Sequence, residues 1–265
     1  MGSGSTDAKG REDEMNPELG ISLIRRLRRP FLWVVRSRTL TKVIFGLDVY
    51  PYPYYNIQNW DFATLLLKKA LDSLVKDHQR ILEIGTGHLA ILSVYVAKKK
   101  VVDVSAVDIN PAFVENARKN AAINGVHIEL KQSDLFSNVD GAFDIVFFNP
   151  PYVPTRYVEK YSREQITKSV FDLAWNGGSD GFETIRRFLN EVMKVIRGDS
   201  IVLLGVNALY LDRIEMRRLI TKAGLTVVSV FTSIGNPSRV YVMRKRRYND
   251  KRHSAQLSGC HAWSS

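Results

Sequence analysis

The run Phe143-Asp144-Ile145-Val146-Phe147-Phe148 constrains the fold most, because it is apolar at every position except Asp144 and shows no alternation. A short run of that kind reads as a strand buried on both faces, as parallel strands are inside an α/β sheet. It ends abruptly at Asn149-Pro150-Pro151-Tyr152-Val153-Pro154. Two successive prolines cannot donate to a ladder and hold the following chain extended, so the strand stops at Asn149. A polar amide is thereby placed just past the carboxyl end of a central strand, where open α/β sheets bind ligands.

Strand and helix alternate on either side of that run. Residues 61–76 carry an apolar stripe at helical spacing, and Arg80-Ile81-Leu82-Glu83-Ile84 reads as a buried first strand. A helix over 90–98 and a second strand over 101–107 follow. Asn110 caps the next helix with Pro111 in its first turn, and Asn124-Gly125 closes it. Val126, Ile128 and Leu130 then alternate as a short third strand. Beyond Asn149 the pattern predicts helices over 164–174, 182–196 and 211–223, a glycine loop at Gly177, Gly178 and Gly181, and a fifth strand over 200–206. The last two strands, 225–231 and 239–243, have no helix between them and must pair antiparallel. The expected fold is α/β: a doubly wound, Rossmann-like, mostly parallel sheet with helices on both faces.

Composition sorts the chain into parts. Residues 1–20 are rich in Gly, Ser and charge and read as disordered. Residues 21–59 form a basic, then aromatic, extension, in which Pro30 splits residues 21–45 into two short helices. Residues 60–247 carry the fold, and 248–265 read as a loose tail. The net charge of +11 is uneven: residues 21–47 hold seven basic and no acidic side chains, and 244–265 hold six against one. Residues 48–243 are near balance, 23 against 21, so the sequence describes two basic arms rather than a basic body. The single cysteine, Cys260, excludes an internal disulfide framework or a Cys-based zinc site and fits a reducing, cytoplasmic setting. No apolar run approaches the roughly 20 residues of a membrane span, and the N-terminus is too polar for a signal peptide.

Candidate binding residues fall at successive strand ends. In Glu83-Ile84-Gly85-Thr86-Gly87 the glycines allow a sharp turn and close backbone approach to a ligand, although two glycines are not the dinucleotide pattern of three. Asp108, followed by Ile109, ends the second strand 23 residues after Gly85, where an acid can accept both ribose hydroxyls of a nucleoside. Ser133-Asp134-Leu135-Phe136 follows the third strand with a polar group and an apolar wall for an adenine. Glu83 suits a cationic group and opposes a phosphate. At the fourth strand end, the Asn149 side-chain oxygen and the Pro150 carbonyl can each accept one N–H of a planar NH2 group. Pro151 stiffens that turn, and Tyr152 offers a face to stack on the plane.

This constellation resembles the class I S-adenosylmethionine-dependent methyltransferases over residues 60–243. Within them, Asn149-Pro150-Pro151-Tyr152 is similar to the motif of enzymes that methylate planar amides or exocyclic amines. Phe148 to Thr155, with Ala174-Trp175-Asn176-Gly177-Gly178-Ser179-Asp180-Gly181, further resembles the release-factor glutamine N5-methyltransferases, in their archaeal and eukaryotic branch. The resemblance implies strand order 3-2-1-4-5-7-6 with strand 7 antiparallel, and S-adenosyl-L-methionine as cofactor. It also implies a glutamine amide of a translation release factor as substrate, and a small zinc-binding adaptor protein at the third-strand edge. That family has a Pro-Ala-Glu-Asp-Thr or similar stretch closing over the cofactor. Here the matching place is Tyr50-Pro51-Tyr52-Pro53-Tyr54-Tyr55-Asn56-Ile57-Gln58-Asn59-Trp60-Asp61-Phe62, in which only Asp61 clearly matches. Two other readings stay open at this point. One is methylation of an adenine N6 or guanine N2 amine in RNA or DNA, with the base flipped onto Tyr152 and the basic arms on phosphates. The other is a non-catalytic methyltransferase-like binding module.

Overall fold

A computed structural model describes residues 38–50, 60–162 and 174–246. Seven strands form one sheet: β1 Arg80–Ile84, β2 Asp103–Asp108, β3 Glu129–Gln132, β4 Phe143–Phe148, β5 Ile196–Asn207, β6 Leu225–Ser233 and β7 Asn236–Lys245. Their order is β3-β2-β1-β4-β5-β7-β6, as expected. The first five are parallel, and β7 runs antiparallel to both β5 and β6. β4 lies between β1 and β5, with Ile145 and Phe147 paired to Ile81 and Glu83 on one side and to Ile201 and Leu203 on the other. Ile145, Val146 and Phe147 are fully buried, which is why that run carries no alternation.

Helices cover both faces: α1 Arg38–Phe45, α2 Phe62–Leu74, α3 Ile91–Lys99, α4 Pro111–Ile123, α5 Thr155–Ser162, α6 Glu183–Glu191 and α7 Arg213–Lys222. Asn110 caps α4 through its side chain, with Pro111 in the first turn as expected. α1 is the described part of the basic extension, and it packs on the fold. Trp60 Nε1 donates to the buried Thr41 Oγ1 at 3.0 Å, and the Phe45 ring lies 5.7 Å from Trp60 and 6.0 Å from Tyr95. The chain then runs along α4, where Asn120 and Asn124 accept from the Tyr50 and Asp48 backbone N–H groups at 2.7 and 3.0 Å. The remaining basic arms, residues 51–59, and the helix expected over 164–174 apart from Ala174 lie outside the described residues.

Several element boundaries differ from expectation: β2 begins at Asp103 rather than 101, and β7 at Asn236 rather than 239. β5 begins at Ile196 rather than 200, since Ile196 pairs with Phe143 and Ser200 Oγ donates to the Phe143 carbonyl at 2.6 Å across a bulge. That early start shortens α6, whose last residues tighten into a 3-10 turn at Val192–Lys194. β3 is displaced to Glu129–Gln132, although Ile128 and Leu130 face inward as expected. Its outer positions carry Glu129 and Lys131, paired at 2.7 Å, a charged edge of the kind that discourages addition of another strand. Among the described residues no helix is long and apolar enough to cross a membrane.

Candidate active site

The carboxyl ends of β1, β2, β3 and β4 bring the expected cofactor residues to one edge of the sheet. Gly85 turns the chain there at φ +64°, and a Cβ on it would stand 2.7 Å from the Phe148 ring, so no larger residue fits without moving the core. Gly87, also at φ +64°, faces open space, which leaves its backbone accessible. Asp108 is buried, and its carboxylate accepts from the Gly87 N–H at 2.8 Å and the Asn110 N–H at 2.9 Å. One acid thus ties the glycine turn of β1 to the end of β2. Ile109 beside it is 44% exposed, an apolar group left facing the cleft edge.

Glu83 is buried, and one carboxylate oxygen accepts from Thr86 Oγ1 at 2.9 Å and from the Ser93 N–H and Oγ at 3.2 and 2.5 Å. Asp134, by contrast, is exposed, and its carboxylate pairs with Arg187 of α6 at 2.7 Å. Leu135, expected as an apolar wall, is buried, with φ +48°, in a turn where Ser133 Oγ donates to the Leu135 carbonyl at 2.9 Å. Left-handed backbone at a leucine costs about 1–2 kcal/mol and persists only where the surroundings impose it.

Burial pushes the Glu83 carboxyl from 4.5 up to about 7, outweighing its hydroxyl donors. Asp108 is raised as well, again chiefly by burial. His88, next to the glycine turn with its ring 5.5 Å from Phe113, is held down at about 4 by burial, so it is neutral at pH 7. These groups have opposite effects on stability. The contribution of Glu83 is complete below pH 4.5 and lost as pH rises through about 7, because the folded chain holds the proton more tightly. That of His88 is complete above pH 6.5 and lost as pH falls through about 4. Glu83→Gln should therefore remove a loss of about 3 kcal/mol that develops between pH 4.5 and about 7, and keep the loss due to His88 on acidification. Urea midpoints followed from about pH 4 to 8 will show this. An unchanged slope over that window in the variant would assign the loss to other groups, Asp108 first among them.

At the end of β4, Asn149 turns its amide nitrogen toward Asp61 Oδ1 and Thr64 Oγ1, both at 3.4 Å. A carboxylate accepts only the nitrogen there, since the carbonyl oxygen would meet a like charge. Asn149 Oδ1 is the other end of that amide, buried and without a hydrogen-bond partner among the described residues. Gly205 of β5 makes room for it: a Cβ there would lie 3.5 Å from that oxygen and 2.8 Å from Leu67. Tyr152 donates its hydroxyl to Asp61 Oδ2 at 2.9 Å, and its ring lies 6.1 Å from that of Tyr210. Asp61 also caps α2, accepting from the Thr64 N–H at 2.8 Å and from Thr64 Oγ1 at 2.9 Å.

Residues 174–181 lie beside this turn. Val153 N–H donates to the Trp175 carbonyl and Gly177 N–H to the Val153 carbonyl, both at 2.9 Å, while Thr155 N–H donates to Gly178. Next to Pro154 a cavity of about 380 Å³ is walled by Phe182 and Tyr210 and rimmed by Asp180, Asp212, Glu215, Arg156 and Arg186. Asp180 pairs with Arg186, and Glu215 with Arg218. Sequence reasoning missed Thr64 and Tyr210 as members of the site, and it reached Asp61 only as the match to a stretch that closes over the cofactor, not as a partner of Asn149 and Tyr152. An Asp-x-x-Thr spacing did announce the helix cap, but nothing local says that the same carboxylate reaches residue 149.

The family described as Methyltransferase small domain matches residues 54–179, which include every strand end described above up to the Asn149 turn. Residues 54–179 thus match a methyltransferase domain. Two curated relatives of the chain are similar over that region. One, a Methanocaldococcus jannaschii protein whose name proposes N5-glutamine methylation of protein, is 41% identical over 140 residues, 53% of this chain and 66% of its own. The other, a release factor glutamine methyltransferase of Deinococcus radiodurans, is 29% identical over 143 residues, 54% of this chain and 51% of its own. The chain thus spans between half and two thirds of the length of these relatives. A methyltransferase crystal structure from Pyrococcus furiosus shares the fold, with a TM-score of 0.57 at 22% identity over 84% of this chain and 98% of that one.

The cleft fits S-adenosylmethionine on its own chemistry. Two buried carboxylates at neighbouring strand ends, Glu83 and Asp108, favour hydroxyl donors and a cation over phosphate. The open face of Gly87 and the apolar Ile109 and Leu135 suit an adenosyl group.

Proposed function

We propose that this chain is an S-adenosylmethionine-dependent N-methyltransferase acting on a planar NH2 group, and that the group is a glutamine side-chain amide of a protein such as a translation release factor. The observation that carries this reading is Asn149 Oδ1, a buried acceptor at the carboxyl end of β4 with no hydrogen-bond partner among the described residues. Buried polar groups are paired almost without exception, so an orphan at a ligand site marks where a donor belongs. One N–H of the amide binds this oxygen, and the other binds the Pro150 carbonyl, which Pro151 holds in place. Tyr152 packs on the plane. Glu83, the turn 85–87, Asp108, Ile109, Leu135 and the Asp134 turn hold the cofactor, whose contribution when bound is an electrophilic methyl group. An amide nitrogen is a weak nucleophile. The chain's task is therefore to fix its orientation and to surround it with oxygen acceptors that favour positive charge on nitrogen.

The names of the two curated relatives support glutamine as the target, and a soluble translation factor fits a cytoplasmic setting. The deciding experiment offers methyl-labelled cofactor, a release factor bearing Gly-Gly-Gln, and total RNA in one reaction. Label in the factor, lost when its Gln is changed to Ala, is the expected result. Label in RNA alone would overturn the glutamine reading in favour of a base amine.

A further inference from the structure

We propose that Asp61 is a positioning residue for methyl transfer: its carboxylate sets which way the Asn149 amide faces and holds Tyr152 beside it. The proposal rests on the reading of Asn149 Oδ1 as the substrate acceptor and assigns a task to a residue in another element, 88 positions away.

An asparagine side chain has two ends of similar size and opposite hydrogen-bonding character, and packing alone does not distinguish them. An acceptor site for an NH2 group needs the oxygen outward. If the amide turned over, a donor would face a donor and the site would be blind to its substrate. Asp61 removes the ambiguity. Its Oδ1 stands 3.4 Å from Asn149 Nδ2, where only a donor is tolerated, and Thr64 Oγ1 is equally close to that nitrogen. Asp61 is itself fixed, because Oδ1 accepts from the Thr64 N–H at 2.8 Å as the cap of α2. Its other oxygen accepts from the Tyr152 hydroxyl at 2.9 Å, so one carboxylate controls both side chains of the cradle. Its negative charge also lies on the side of Asn149 remote from the substrate, where it polarises the amide and favours positive charge on the reacting nitrogen. The helix cap alone does not explain this arrangement, since one oxygen is enough to cap α2 and the second is turned to Tyr152.

Asp61→Asn is the appropriate variant, because asparagine caps helices as well as aspartate does while losing the charge. The direct readout is the side-chain 15NH2 signal of Asn149, assigned by its absence in Asn149→Ala. In Asp61→Asn the Asn149 signal should shift upfield and its protons exchange faster. In Tyr152→Phe, which frees one carboxylate oxygen and keeps the ring, it should shift by a smaller amount. An unmoved signal in both variants overturns the proposal, whatever the substrate.

The kinetic arm uses methyl-labelled cofactor and a Gly-Gly-Gln release factor. Asp61→Asn should lower kcat about 10- to 100-fold, with KM and cofactor Kd within about twofold, as expected for lost orientation. In an Asn149→Ala background the same change should cost less than about twofold, because the two residues act as one unit. Equal losses in both backgrounds would show Asp61 acting independently of Asn149 and overturn the proposal. A wild-type enzyme that fails to label the factor, while the Asn149 signal still responds to Asp61→Asn, would sink the substrate reading and leave the positioning role standing.

Discussion

Asn149→Ala should lower methyl transfer by roughly 100- to 1,000-fold, the scale of removing one preorganised hydrogen-bonding group from a reacting centre. Cofactor affinity should stay within about twofold, since the Asn149 side chain touches Asp61 and Thr64 rather than the Glu83–Asp108 side of the cleft. Stability is the sharper test. A buried polar atom with a partner loses about 1–3 kcal/mol when the pair is broken, and most Asn→Ala changes in a core are harmful. Asn149 Oδ1 has no partner among the described residues, and both amide bonds are long, so truncation removes an unsatisfied acceptor. The variant should melt within about 2 °C of wild type, or above it, as happens when a site held for function is relieved. Single-turnover label transfer, calorimetry with the cofactor and a thermal melt check the three parts. A variant that transfers methyl groups at the wild-type rate removes Asn149 from the mechanism. One that melts far lower would show that its amide supports the fold.

Much of this could be read along the chain because parallel α/β sheets put their ligand residues at strand ends, and strand ends are visible as apolar runs broken by Gly, Asp or Asn. Gly85, Asp108, Leu135 and Asn149 were each legible in that way. Side-chain destinations were not. Asp134 looked like a cleft residue, but α6 places Arg187 against it and draws it into an exposed ion pair. Glu83 meets Ser93, a residue of α3 whose role depends on how that helix crosses the sheet. α5 was passed over because Val158 is its one buried apolar residue among those described, too few to make a stripe. The start of β5 was hidden by Gly198 and Asp199, which look like a loop until pairing with Phe143 turns them into a bulge. Asp61 is the most instructive case. Its local signal, a helix cap, is correct and complete by itself, and it conceals the second task that only the tertiary fold reveals.

Gly177→Ala should be strongly damaging beside the Asn149–Tyr152 turn. A Cβ there would stand 2.6 Å from the Gly181 carbonyl oxygen and 2.8 Å from Tyr152 Cα. Both are backbone atoms, so no rotamer change relieves the contact and one of the two segments must move. The segments are interlocked by backbone hydrogen bonds: Val153 with Trp175 and Gly177, Thr155 with Gly178, and Glu183 N–H with the Gly177 carbonyl. Gly181 allows no easy retreat, being at φ +82° with the Tyr152 carbonyl oxygen 2.6 Å from its own would-be Cβ. Overpacking of this kind costs roughly 1–3 kcal/mol and more where backbone must shift, so a fall of about 5–10 °C in melting temperature is expected. Activity should fall further than stability explains, because moving Tyr152 by a fraction of an ångström misplaces the cradle, and about 1 Å can cost 100-fold. Gly198→Ala is the control, since nothing lies within 4 Å of the added methyl. It should leave both melting and transfer near wild type. If Gly177→Ala melts and turns over like Gly198→Ala, residues 174–181 do not press on the Tyr152 backbone, and the substrate side of the site must be built from other contacts.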